Sequence, residues 1–91
     1  MKIKIQDREI ELKYTMRSML MYENITDKTF NPKTMTDIVI FMYCIVISSA
    51  KDYSLNLDDF IDYLDENQHV FEEFGEWINK VSEVNNQIKK N

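Results

Sequence analysis

The ten residues from Ile38 to Ile47 carry no charged side chain, and no other segment of this 91-residue chain constrains its fold as strongly. The run is about half of the ~20 residues a membrane-spanning helix needs, so it is expected inside a folded protein and not across a bilayer. Its β-branched content (Ile38, Val39, Ile40, Val46, Ile47) allows a buried strand. Thr34 ahead of it has N-cap chemistry, Asp37 falls near the positive end of a helix that starts there, and the run continues to Ala50. These signals favour a helix. A helix without a polar face belongs at the centre of a bundle or in an interface between chains.

The flanking segments supply the bundle. Gly75 and Pro32 are the only glycine and proline, whereas an all-β fold spends many of both on turns. Ile3, Ile5, Ile10, Leu12 and Tyr14 alternate with polar residues across Gln6-Asp7-Arg8-Glu9, which predicts a short β-hairpin lying on the helices. Thr15 opens a helix to about Ile25, and Asn31-Pro32 marks a turn in the loop after it. Asn56 can cap a short helix with Leu57, Phe60, Ile61 and Leu64 on one face and Asp58, Asp59, Asp62 and Asp65 opposite. Asn67 can cap a last helix carrying the broad stripe Val70, Phe71, Phe74, Trp77, Ile78, Val81, Val84 and Ile88. In that helix Glu76 and Lys80 are spaced as an i,i+4 pair, and Lys89-Lys90 suit the C-terminal dipole. Gly75 costs it ~1 kcal/mol relative to Ala and suggests close packing or a bend. The expected fold is therefore mostly α: one compact domain over residues 1–91, with a β-hairpin in 1–14 and about four helices in 15–91.

Charge and cysteine content exclude several function classes. The formal charge is -5, and Lys and Arg form no basic stripe, so nucleic acid is not an expected ligand. An acidic face that mimics DNA is a minor alternative. Cys44 stands alone and cannot form an internal disulfide. Met1-Lys2-Ile3-Lys4 lacks the apolar stretch of a signal peptide, and a soluble protein of a reducing compartment is expected.

Catalytic constellations are hard to assemble from these residues. Cys44 lies in the most apolar segment, where burial makes a thiol inert. His69 follows a helix start and reads as a surface residue. One His and one Cys cannot complete a zinc site of the usual kind. Asp58, Asp62 and Asp65 share a helical face and could gather a divalent cation, but a calcium loop needs alternating ligands around a Gly, and none is near. A solvated helix face is the simpler account. Phosphate-cradling loops need glycines that the chain lacks. No enzyme activity, cofactor or metal is expected.

Binding through apolar surface remains. At about 100° per residue, Met16, Met19 and Leu20 form one stripe on the first helix, and Met21, Tyr22 and Ile25 form another. Complete sandwiching of such a helix is hard in a small domain. Met-rich surfaces also repack around varied apolar partners. Met21, Tyr22 and Ile25, with Ile40, Tyr43 and Ile47 of the apolar run, are therefore the candidate partner-binding residues. On this reading, replacing Met21 and Tyr22 with Asp leaves the fold intact and abolishes binding.

The order of these elements resembles the tail assembly chaperones of long-tailed bacteriophages. Those proteins often open with a hairpin followed by a phrase of the type F-T-M-R-A-x-x-x-[FY]-E-x-x-T-G-K-S-F. Residues 14–30 read YTMRSMLMYENITDKTF and match it at Thr15, Met16, Arg17, Tyr22, Glu23, Thr26, Lys28 and Phe30. Asp27 replaces the usual Gly, and Asp accepts positive φ better than most residues. A strongly apolar helix comes next in the family, similar to Ile38–Ala50. Leu55 to Asp65 resembles the phrase x-L-T-x-E-E-F-x-D-x-L-D that follows it. The resemblance spans roughly residues 3 to 66 and rests on structural motifs.

What the resemblance implies is a protein of the bacterial host cytoplasm, made during virion morphogenesis and absent from the mature particle. The implied partner is the tape measure protein, with the tail tube protein and a second copy of the chain as further candidates. Such chaperones cover the apolar stripes of the long helical tape measure protein. An alternative from another class is a small acidic regulator that inhibits a host protein through the Asp58–Asp65 face. A metal-dependent enzyme is a third, disfavoured for want of ligands.

Overall fold

The computed structural model describes the backbone of residues 1–90 and the side chains of residues 1–82. Strands β1 (Lys2–Ile5) and β2 (Arg8–Glu11) precede helices α1 (Met16–Thr26), α2 (Met35–Ser49), α3 (Leu57–Glu66) and α4 (Gln68–Lys90). The mostly helical domain with an N-terminal hairpin is thus the fold observed.

Local chemistry sets the element boundaries. Gln6 and Asp7 have φ of 50° and 64°, the left-handed pair that matches a two-residue loop to the twist of its strands. β1 and β2 pair antiparallel, Ile3 opposite Ile10 and Ile5 opposite Arg8. The turn is shorter than the polar stretch Gln6 to Glu9, because Arg8 and Glu9 already belong to the ladder. Three helices begin on a side chain that accepts a backbone N–H. Thr15 Oγ1 accepts from Ser18 at 3.1 Å, Thr34 Oγ1 from Asp37 at 3.1 Å, and Asn56 Oδ1 from Asp59 at 2.8 Å. Asn67 behaves differently: its amide donates backwards to the Tyr63 carbonyl at 2.9 Å, closing α3 where it was expected to cap α4. Asp27 ends α1 at φ 57° and donates its N–H to the Glu23 carbonyl. It fills this left-handed position without glycine, as Asp does better than most residues.

Helix α2 is the axis of the molecule. Phe41, Met42, Cys44, Ile45 and Val46 are almost wholly inaccessible. The helix forms despite its β-branched residues, because each costs a few tenths of a kcal/mol in propensity. Burying an Ile or Val side chain returns about 1.5–3 kcal/mol. Phe41 gathers the N-terminal half around it. Its ring lies 4.8 Å from Phe30, 5.8 Å from Tyr14 and 6.2 Å from Tyr22, all near edge-on. The hairpin is fastened to the far end of α2: Tyr53 hydroxyl donates to Gln6 Oε1, Arg8 pairs with Asp52, and the Arg8 guanidinium sits 5.1 Å above the Tyr53 ring.

Helices α3 and α4 close the other side with Phe60, Leu64, Val70 and Phe74. Buried residues of the hairpin and all four helices form one contiguous core. A Cβ on Gly75 would sit 4.0 Å from Met42 Cε, an ordinary contact, so close packing does not require the glycine. Glu76 and Lys80 form no ion pair among the described residues. Val84, Ile88 and the Lys89-Lys90 side chains lie outside the described side chains. No helix among the described residues is long and apolar enough to cross a membrane.

Candidate protein-docking site

The six residues singled out as partner-binding do not form one surface. Tyr22 is fully buried and belongs to the core, which overturns its assignment to a contact face. Met21 is half-buried and packs against the core, while Ile25 is 50% exposed. Tyr43 is engaged within the fold: its hydroxyl donates to the Leu55 carbonyl at 2.6 Å and its ring lies 6.0 Å from Phe60. Ile47 is half-buried against the core. Ile40 alone lines one of the hollows described next.

Neither stripe of α1 turns inward as a unit, since Tyr22 is buried and Ile25 exposed in one, while Met19 packs on the core beside exposed Met16 and Leu20 in the other. Ser18 and Tyr22 mark the inward face. Met16 and Leu20, on the opposite side, are 71% and 60% exposed. Ser18 is polar but buried, with its hydroxyl donating to the Thr15 carbonyl at 2.6 Å. Its small, internally satisfied side chain lets α1 approach α2 closely.

The N-terminal half of α2 is where the apolar run emerges from its cover. Two hollows flank it. One, about 460 Å³, lies between α2, α3 and the start of α4, lined by Val39, Ile40, Leu57, Ile61, Leu64 and Gln68 among others. The second, about 620 Å³, lies between α2, α4 and the loop before α2, with Tyr14, Phe30, Pro32, Ile38 and Ile78 in its walls. Met35, Phe71 and Glu72 line both, so the hollows adjoin across a shared ridge. Met35 is 64% exposed and Ile61 39%. Large apolar side chains clustered at such a concavity mark protein-interaction surface.

Other features have structural explanations. A cleft of about 510 Å³ between the hairpin and the end of α2 is lined mainly by charged and hydroxyl-bearing residues, and its carboxylates are paired: Glu9 with Lys2, Glu11 with the N-terminus, Asp52 with Arg8. Burial pushes the fully enclosed Cys44 thiol up to about 11, leaving it protonated at neutral pH. His69 is exposed. Among the described residues no group of three His, Cys, Asp or Glu could hold a metal ion.

The segment from Tyr14 to Phe30 forms α1 and the start of the loop to α2, and its polar side chains brace that loop. Glu23 Oε2 accepts the Phe30 N–H at 2.6 Å, Thr26 hydroxyl donates to the Tyr22 carbonyl, and Lys28 reaches Asp37 at 3.2 Å. Desolvation alone would raise the Asp37 carboxyl. The Lys28 ammonium and hydrogen bonds from Thr34 and Lys33 outweigh it and hold the carboxyl below its ordinary value. The nearby Tyr22 hydroxyl is buried without a hydrogen-bond partner among the described residues. Burial, reinforced by the Asp37 charge, raises it.

Sequence reasoning missed the exposed Met35 and Ile61 and the half-buried Phe71 as residues lining the hollows. Met35 carried a usable signal: at the first position of α2, beside the cap and cut off from the apolar run by Thr36-Asp37, it cannot reach the core. Comparison of the chain with protein-family models, curated proteins and solved structures finds no match.

Proposed function

We propose that this chain is a tail assembly chaperone of a long-tailed bacteriophage or prophage, acting in the host cytoplasm by binding and not by catalysis. Its principal client is the tape measure protein, whose apolar helices it covers until the tail tube assembles around them. The single observation that carries the binding part is the pair of adjoining apolar hollows around Met35 and Phe71. The client part rests on the order of elements and on the phrase from Tyr14 to Phe30. A long helix with an apolar stripe is the kind of ligand that a groove between helices takes. A net charge of -5 would help keep such a complex dispersed.

Co-expression with a candidate tape measure protein tests the reading. The expected result is more soluble tape measure protein and a co-purifying complex. If solubility is unchanged and nothing co-purifies, the assignment fails. The alternative of an inhibitory acidic face gains no support from the geometry of Asp58, Asp59, Asp62 and Asp65. Asp58, Asp59 and Asp62 are exposed, two of them in the first turn of α3, where a helix dipole favours negative charge. Asp65 lines one of the hollows and shares no separate acidic site with them.

A further inference from the structure

We infer that the occupant of the adjoining hollows is an amphipathic helix of a partner protein whose apolar stripe is flanked by Lys or Arg. This rests on the chaperone reading for the partner's identity, but the charge argument stands on the groove itself. The apolar walls come from α2, α3, α4 and the segments flanking α1, and the charged side chains set among them are Asp65, Glu72 and Glu76. Among the described residues no Lys, Arg or His lines either hollow. None of the three carboxylates forms an ion pair among the described residues, although four other carboxylates do. Glu72 stands at the ridge shared by both hollows, with Asp65 on one side and Glu76 on the other. Apolar side chains entering the hollows would therefore be bordered by negative charge. Cations flanking the stripe would be attracted, and carboxylates there repelled.

The test uses three synthetic helical peptides of equal length and labelled alike. The first has Leu at i, i+3, i+4 and i+7 with Lys beside the stripe, the second has Glu in place of Lys, and the third scrambles the first. Binding to the full chain is followed by fluorescence anisotropy at low and high salt. The Lys-flanked peptide should bind at least about tenfold more tightly than the Glu-flanked one, as a few exposed charge pairs can supply. High salt should narrow that gap. The triple variant Asp65→Asn, Glu72→Gln, Glu76→Gln should remove most of it, and Met35→Glu with Ile61→Glu should abolish binding while the circular-dichroism melt stays unchanged. Equal binding of the scrambled peptide, or of the Glu-flanked one, overturns the proposal. So does a Met35→Glu, Ile61→Glu variant that changes the oligomeric state and not peptide affinity, which would seat a second copy on this face. Lys-peptide binding without a tape measure complex keeps the groove and removes the client. A tape measure complex indifferent to Met35→Glu and Ile61→Glu keeps the client and removes the groove.

Discussion

Tyr22 places in the core, in a cage made by Phe30 and Phe41, a hydroxyl that makes no hydrogen bond among the described residues, with the Asp37 and Thr26 side chains nearby. An unpaired buried polar group costs about 1–3 kcal/mol, so Tyr22→Phe is expected to raise stability by about 1 kcal/mol in urea denaturation. A loss of that size would mean that the hydroxyl has a partner. Asp37 is the opposite case, a buried carboxylate with its donors in place: Lys28, Thr34 and the Lys33 N–H. Its folded value lies below the ordinary 3.8, so its stabilising contribution is complete above the unfolded value and is lost as pH falls through the folded one. Asp37→Asn should therefore be less stable than the parent at pH 7. The gap should close on acidification below about pH 4, and a gap constant with pH would remove the ion pair from the account. These roles were only partly legible. Thr15, Thr34 and Asn56 declared themselves as caps by side-chain type and position, because capping is local. Asp37 was read correctly as a helix-start acid, but its pairing with Lys28 across the loop depends on how that loop folds.

Helix α1 shows where periodicity runs out. Two apolar stripes on one short helix are equivalent in sequence, and only tertiary packing decides which of their residues turn inward. Ser18 settles it here, since a small residue beside Tyr22 allows the close approach to α2 that Met16 and Leu20 would block. The double variant Met16→Asp, Leu20→Asp should keep its fold, with stability within about 0.5 kcal/mol of the parent, as is usual for exposed sites. Tyr22→Asp should unfold the domain by burying an unpaired charge where an aromatic ring was. Far-ultraviolet circular dichroism with thermal melts distinguishes the two, and a folded Tyr22→Asp would restore the original assignment. Helix α3 carries the same lesson. Leu57, Phe60, Ile61 and Leu64 share a face, but that face is wider than the contact with the core. Phe60 and Leu64 fill the contact, and Leu57 and Ile61 join the edge of Leu64 in lining the hollow.

For the whole molecule, the all-round apolar character of Ile38–Ile47 posed a choice between bundle centre and interface. The helix divides along its length. From Phe41 to Val46 it is enclosed apart from the half-buried Tyr43, and from Met35 to Ile40 most of its apolar side chains look into the two hollows. The fold class, the hairpin and the helix order were legible, because they follow from pattern, caps and turn chemistry. The docking surface was not, because it is built from residues left over once three helices have packed. Its residues lie on α2, α3, α4 and the segments flanking α1, far apart in sequence. The central claim is that this leftover surface holds an apolar helix of the tape measure protein. Its most direct measurement is co-purification of that protein with the parent chain and with the Met35→Glu, Ile61→Glu variant, matched for expression and melting temperature. The account predicts a soluble complex with the parent and none with the variant. Equal recovery with both, or no complex with either, would contradict it.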